Sequence, residues 1–140
     1  MILYLETSNL VKIYVLEQGT EKILNLVHEA ETVATSIVTY AESRAAFARK
    51  WREKDLGDKD HAKIKTDLRR DWNRYYIIDI FDETVNLAGD LAETHGLRGF
   101  DAIHLASAVI LARAVDAPIT FSSADLKLCQ AAAKENLSPA

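Results

Sequence analysis

Apolar residues fall along this chain in two patterns, short unbroken runs and longer stretches at helical spacing. Ile2-Leu3-Tyr4-Leu5 is a compact run closed by Glu6 and predicts a buried parallel strand. Thr7 or Ser8 then offers an N-cap for a helix reaching roughly Tyr14, broken by Gln18-Gly19. A second helix starts at Thr20, with Ile23, Leu24, Leu26 and Val27 as its apolar positions. The β-branched Thr32-Val33-Ala34-Thr35 predicts a second strand. From Ser36 the chain turns strongly helix-forming to about Lys54, and Gly57 is expected to end that helix. A mostly polar helix follows from Lys59 to about Tyr75, then a strand over Tyr76–Ile80. Asp82 is expected to cap a helix stopped by Gly96. A further helix spans Phe100 to Val115, a strand Pro118–Phe121, and a last helix Ala124 to Lys134. Strands alternating with helices predict a three-layer α/β/α sandwich around a parallel sheet of four to five strands.

Composition narrows this little. The 140 residues, 49% apolar and 27% charged, suit one globular domain over 1–140, and no linker or repeat divides them. The start lacks a basic segment and carries Glu6, so no targeting peptide is expected, and no apolar run is long enough for a membrane span. A single cysteine, Cys129, on a helix with an apolar face, reads as structural and fits a cytoplasmic protein. Net charge is −4, but Arg44–Arg74 holds 11 Lys and Arg against 6 Asp and Glu. That asymmetry either places a basic strip beside an acidic pocket or describes a solvated helical hairpin.

In parallel sheets ligands bind at the carboxyl ends of the strands. Glu6 ends the first strand, Asp125 lies just past the last, and Glu42 and Asp101 are expected in the first turns of helices that start on that edge. Crowded carboxylates repel one another, and a cluster of them calls for a cation. Hard oxygen ligands favour Mg²⁺ or Mn²⁺. Each acid also has a structural reading: Glu42 and Asp101 as charges complementing a helix dipole, Asp125 as a cap. Spacing alone does not make them converge.

Four segments together resemble the PIN-domain family: LYLETSNLVKIY at the start, SIVTYAESRAAFAR, the specific LRGFDAIHLASAVILAR, and ITFSSADLKLCQAA. Order and spacing agree over nearly the whole chain, and within the family the likeness is to VapC-type toxins of toxin–antitoxin pairs. The resemblance implies a metal-dependent endoribonuclease with Glu6, Glu42, Asp101 and Asp125 as catalytic acids. Glu6, Asp101 and Asp125 would hold one or two Mg²⁺ or Mn²⁺ ions. Ser8, His104 and Ser122 would support them, and Arg44, Arg49 and Arg98 would meet RNA. It also implies an antitoxin partner and a homodimer. His28, His61 and His95 read as surface residues. The family's first acid is Asp, so Glu6 is a departure that reads as a natural variant, an attenuated enzyme or a deliberate change. The alternative is a catalytically silent PIN-like domain that binds RNA or a protein. The ending ENLSPA is short where relatives carry a fifth strand, which is then vestigial or cut off.

Overall fold

The computed structural model describes residues 1–140, in the order β1 (Ile2–Leu5), α1 (Thr7–Leu10, continued by a 3-10 turn over Val11–Ile13), α2 (Thr20–Glu29), β2 (Thr32–Ser36), α3 (Val38–Arg52), α4 (Asp58–Trp72), β3 (Tyr76–Ile78), α5 (Asp82–His95), α6 (Gly99–Val115), β4 (Ile119–Ser122), α7 (Leu126–Lys134) and β5 (Ser138–Pro139). The five strands form one parallel sheet in the order β3-β2-β1-β4-β5. The fifth strand exists as two residues, with Phe121 opposite Pro139. No helix is long and apolar enough to cross a membrane.

The strand pleat sorts β1 into two cores. Leu3 and Leu5 point to one face and pack with Leu10, Phe47, Ile64 and Leu68 from α1, α3 and α4. Tyr4 points to the other and packs with Leu105, Phe121 and Leu128, under α5, α6 and α7. The sheet is therefore the middle of three layers. An unbroken apolar run was the right signal for β1, because both its faces are covered.

Several boundaries differ from the sequence reading for local reasons. Glu6, rather than Thr7 or Ser8, caps α1: its backbone is extended and its carboxylate accepts from the Ser8 amide at 3.1 Å. α3 stops at Arg52, and Lys54 takes the left-handed turn (φ 63°), so Gly57 caps the start of α4 instead of ending α3. Asp82 lies inside the first turn of α5; Thr84 Oγ1 accepts from the Phe81 amide at 3.1 Å and fixes the start. Gly96 does end α5, at φ 63°.

The order of strands places the functional edge. The chain leaves β1 toward β2 on one side and returns to β4 on the other, so the carboxyl ends of β1 and β4 flank the reversal point where open α/β sheets bind ligands. Two contacts fasten that edge. The Glu6 amide donates to the Ser122 carbonyl at 3.0 Å. Thr35 Oγ1 donates to the Leu5 carbonyl at 2.7 Å and meets Thr39 Oγ1 at 2.7 Å, which ties β1 to β2 and the start of α3.

Candidate active site

The four predicted acids come from four elements around this edge. Glu6 is the most buried, at 7% exposed. Its Oε2 accepts from the Ser8 amide, from Ser8 Oγ and, at 2.8 Å, from Ser123 Oγ. The extra methylene of glutamate lets the carboxylate fold back over α1, so it serves as both helix cap and hub of a serine pair. Ser123 also accepts from the Asp125 amide at 3.0 Å, linking the Glu6 carboxylate to the start of α7. Asp125 is the N-cap of α7, with Oδ1 accepting from the Leu128 amide at 3.1 Å.

Glu42 lies in the second turn of α3, not the first, and anchors a different network. Its Oε1 accepts from Thr7 Oγ1 at 2.6 Å and meets His104 Nε2 at 2.7 Å. His104 is fully buried on α6, and its Nδ1 meets the buried Tyr4 hydroxyl at 2.8 Å. Burial first, and then the charges of Glu6 and Glu42, push the Tyr4 hydroxyl well above its usual pKa. The phenol therefore stays protonated, and the His104 ring bridges it through Nδ1 to the Glu42 carboxylate at Nε2. Burial works to raise the Glu42 carboxyl, but hydrogen bonds from His104 and Thr7 outweigh it and leave the group below its ordinary value. Tyr4, Thr7, His104 and Glu42 thus form a polar bolt joining β1, α1, α6 and α3.

Asp101 sits in the first turn of α6, one turn before His104, and its Oδ2 pairs with the exposed Arg98 Nε at 3.3 Å. A basic side chain held on one acid is a displaceable clamp, since Arg98 is 87% exposed.

A common arrangement runs through all four acids. Each gives one oxygen to protein donors: Glu6 Oε2, Glu42 Oε1, Asp101 Oδ2 and Asp125 Oδ1. The second oxygen of each carboxylate has no protein partner, and none of these oxygens is among the sealed, unpartnered polar atoms. Carboxylate oxygens are the donor type that a hard divalent cation takes. No three of the His, Cys, Asp or Glu side chains stand close enough together to hold a metal ion as they are. The donor chemistry suits such an ion, but the acids are not gathered around one point, and Arg98 occupies Asp101.

Other sequence expectations fare unevenly. Ser8 does reach Glu6, but Ser122 does not: its hydroxyl accepts from Asn9 Nδ2 at 2.8 Å, and Ser123 takes the expected role. Thr7 was missed because its hydroxyl looked like a cap; the pleat that buries Tyr4 beneath His104 and the helix that follows turn it inward. His61 and His95 are not simple surface residues. His61 is buried and stacks on Trp51 with centroids 4.5 Å apart, and His95 Nε2 lies 3.2 Å from Glu135. In the basic segment Arg49 pairs with Glu53 and Arg70 with Asp67 and Asp71, while Arg44 lies over the Tyr40 ring. Cys129 is half-buried, its thiol donating to the Ser123 carbonyl at 3.3 Å, and burial raises its pKa, as suits a structural residue.

Comparison with known proteins agrees with this geometry. The PIN domain family matches residues 3–134. The chain belongs to the PIN-domain family. It is 33% identical over 112 residues to Ribonuclease VapC45 of Mycobacterium tuberculosis (strain CDC 1551 / Oshkosh), covering 77% of this chain and 75% of that protein. Among solved structures it resembles FitAcB from Neisseria gonorrhoeae, with TM-score 0.67 and 19% identity over 99% of this chain and 96% of that one. It also resembles VapBC2 from Rickettsia felis bound to a DNA fragment from their promoter, with TM-score 0.64 and 20% identity over 100% and 98%. At such identities the structural likenesses speak for the fold alone. The PIN fold accounts for the parallel sheet with strand order 3-2-1-4-5.

Proposed function

We propose that this PIN domain is a divalent-metal-dependent endoribonuclease and the toxin of a toxin–antitoxin pair. The observation that carries the reading is the half-satisfied state of Glu6, Glu42, Asp101 and Asp125, each anchored through one oxygen with the other free. The VapC ribonuclease likeness supplies the substrate class. Glu6, Asp101 and Asp125 would hold Mg²⁺ or Mn²⁺, with Glu42 completing the set. Bound there, such an ion lowers the pKa of a water and offsets phosphate charge. The protein's own part is orientation. Ser8 and Ser123 fix Glu6, His104 and Thr7 fix Glu42, and the N-terminal turn of α7 fixes Asp125. Arg98, released from Asp101, and Arg44 and Arg49 on α3 would meet RNA phosphates. An antitoxin partner and a homodimer belong to the same reading, by analogy with the family.

Glu6 sets the rate in this reading. Where the family has Asp, the longer side chain is tied back by three donors, and displacement on the order of 1 Å costs about a hundredfold in rate. That feature also favours a second reading, a silent PIN domain that binds RNA or protein without cutting. RNA cleavage with Mg²⁺ or Mn²⁺ against EDTA separates the two. The enzyme reading expects metal-dependent cleavage that disappears in Asp101→Asn and accelerates in Glu6→Asp. Absence of cleavage in every form, across several structured RNAs, would favour the silent domain over all but a narrow-specificity enzyme.

A further inference from the structure

Beside the acids lies a pocket of about 340 Å³, walled by α1, the start of α2, the carboxyl ends of β4 and β5, and α7. Its near wall is Ser123, whose hydroxyl also donates to Glu6 at 2.8 Å, so pocket and acidic edge share a residue. Two features of the lining lack a protein explanation. Asn9 is 6% exposed; its Nδ2 donates to Ser122 Oγ, while its Oδ1 is sealed from water with no partner. Lys12, one helical turn on and half-buried, makes no ion pair, while the exposed Lys22 lines the same rim with its Nζ 3.4 Å from an oxygen of Ala140. A cation drawn partly out of water without a counter-charge is costly unless an anion completes the site. Lys12 Nζ lies against the left-handed turn at Gly19 (φ +93°), where a Cβ would come within 3.2 Å of it.

The remaining wall is apolar, formed by Ile23, Leu126 and Leu137 among others. A phosphate alone would leave most of this volume empty. An apolar wall with a few convergent polar groups and an ammonium pair instead suits a small amphipathic anion. We propose that the pocket seats one nucleotide of the RNA strand, adjacent to the phosphodiester facing the acids, with its phosphate on Lys12 and Lys22 and its base against the apolar wall. The proposal rests on the ribonuclease reading. It supplies what the acidic edge lacks, a fixed positive site that sets the strand's position without a metal ion.

The test uses full-length protein carrying Asp101→Asn, in EDTA, with a fluorescein-labelled single-stranded RNA followed by anisotropy from 50 to 200 mM KCl. Lys12→Ala and Lys22→Ala should each reduce the slope of log affinity against log salt by about 0.7, the contribution of one single-strand phosphate contact. Lys12→Arg should keep the slope, and Lys134→Ala, remote from the pocket, should leave it unchanged. Adenosine and uridine 5′-monophosphates added to ¹⁵N-labelled protein should shift the amides of Asn9, Ser123 and Cys129. RNA binding that persists with an unaltered slope in both lysine variants, or nucleotide shifts that map elsewhere, overturns the pocket and leaves the ribonuclease reading standing. Loss of RNA binding in every form, the parent included, overturns both.

Discussion

Replacing Tyr4 by Phe removes one oxygen and tests the polar bolt. The ring would keep its packing, stacked on Phe121 at 5.4 Å and edge-on to His104 at 6.0 Å. What is lost is the 2.8 Å bond to His104 Nδ1, and both partners are fully buried. The buried ring nitrogen is left without a partner, so the cost is the desolvation of an unpaired polar group, about 1–3 kcal/mol, rather than the smaller net value of a hydrogen bond. For a chain of this size each kcal/mol lowers Tm by about 4 °C. Thermal and urea unfolding should therefore show a fall of about 4–12 °C with an unchanged denaturant slope. His104→Ala costs more alone, adding a cavity, but the double variant should be less destabilised than the sum, with a coupling above about 0.5 kcal/mol. The change should also slow any RNA cleavage, because His104 orients Glu42 through Nε2. A Tyr4→Phe protein as stable as the parent, with additive energies in the cycle, would refute the bolt.

Asp125→Ala should lose about 1 kcal/mol of stability as the α7 cap disappears, whereas Asp125→Asn keeps the cap and loses only the charge; nuclease assays on the two, beside unfolding curves, separate the roles. Glu6→Asp should leave stability within about 0.5 kcal/mol, because Asp also caps well, while raising metal-dependent cleavage. For Glu42, whose carboxyl is held below its ordinary value, the contribution to stability is complete above about pH 4.3 and disappears as pH falls through the lower folded value. Unfolding free energies between pH 7 and 3 should therefore decline less steeply in Glu42→Gln than in the parent. An Arg98→Ala protein should bind Mn²⁺ more tightly by calorimetry, since its guanidinium occupies Asp101.

The sheet was legible because the strands carry their burial in sequence. Ile2–Leu5 is apolar on both faces, as a central parallel strand must be, Ile119 and Phe121 flank the β-branched Thr120 in β4, and each run is followed by a polar residue at the edge. Helix ends were read less well, because several residues compete for each cap. Glu6, Thr7 and Ser8 all offer oxygens, and only the position of β4, which brings Ser123 against Glu6, decides that the glutamate folds back. His61 was misread for a similar reason: its partner Trp51 lies across a helical hairpin, and no spacing rule joins residues on different helices.

The sequence names the acids but neither their state nor whether they converge. No three of them stand close enough to hold one metal ion, yet carboxylates near one another still need their charge offset. In the fold that offset is divided among separate devices: a serine pair for Glu6, a buried imidazole for Glu42, an arginine for Asp101 and a helix start for Asp125. Each device acts on one oxygen, so the edge tolerates four negative charges without closing their outer faces. Arg98, exposed and on the same helix as its partner, is the part of the arrangement easiest to displace.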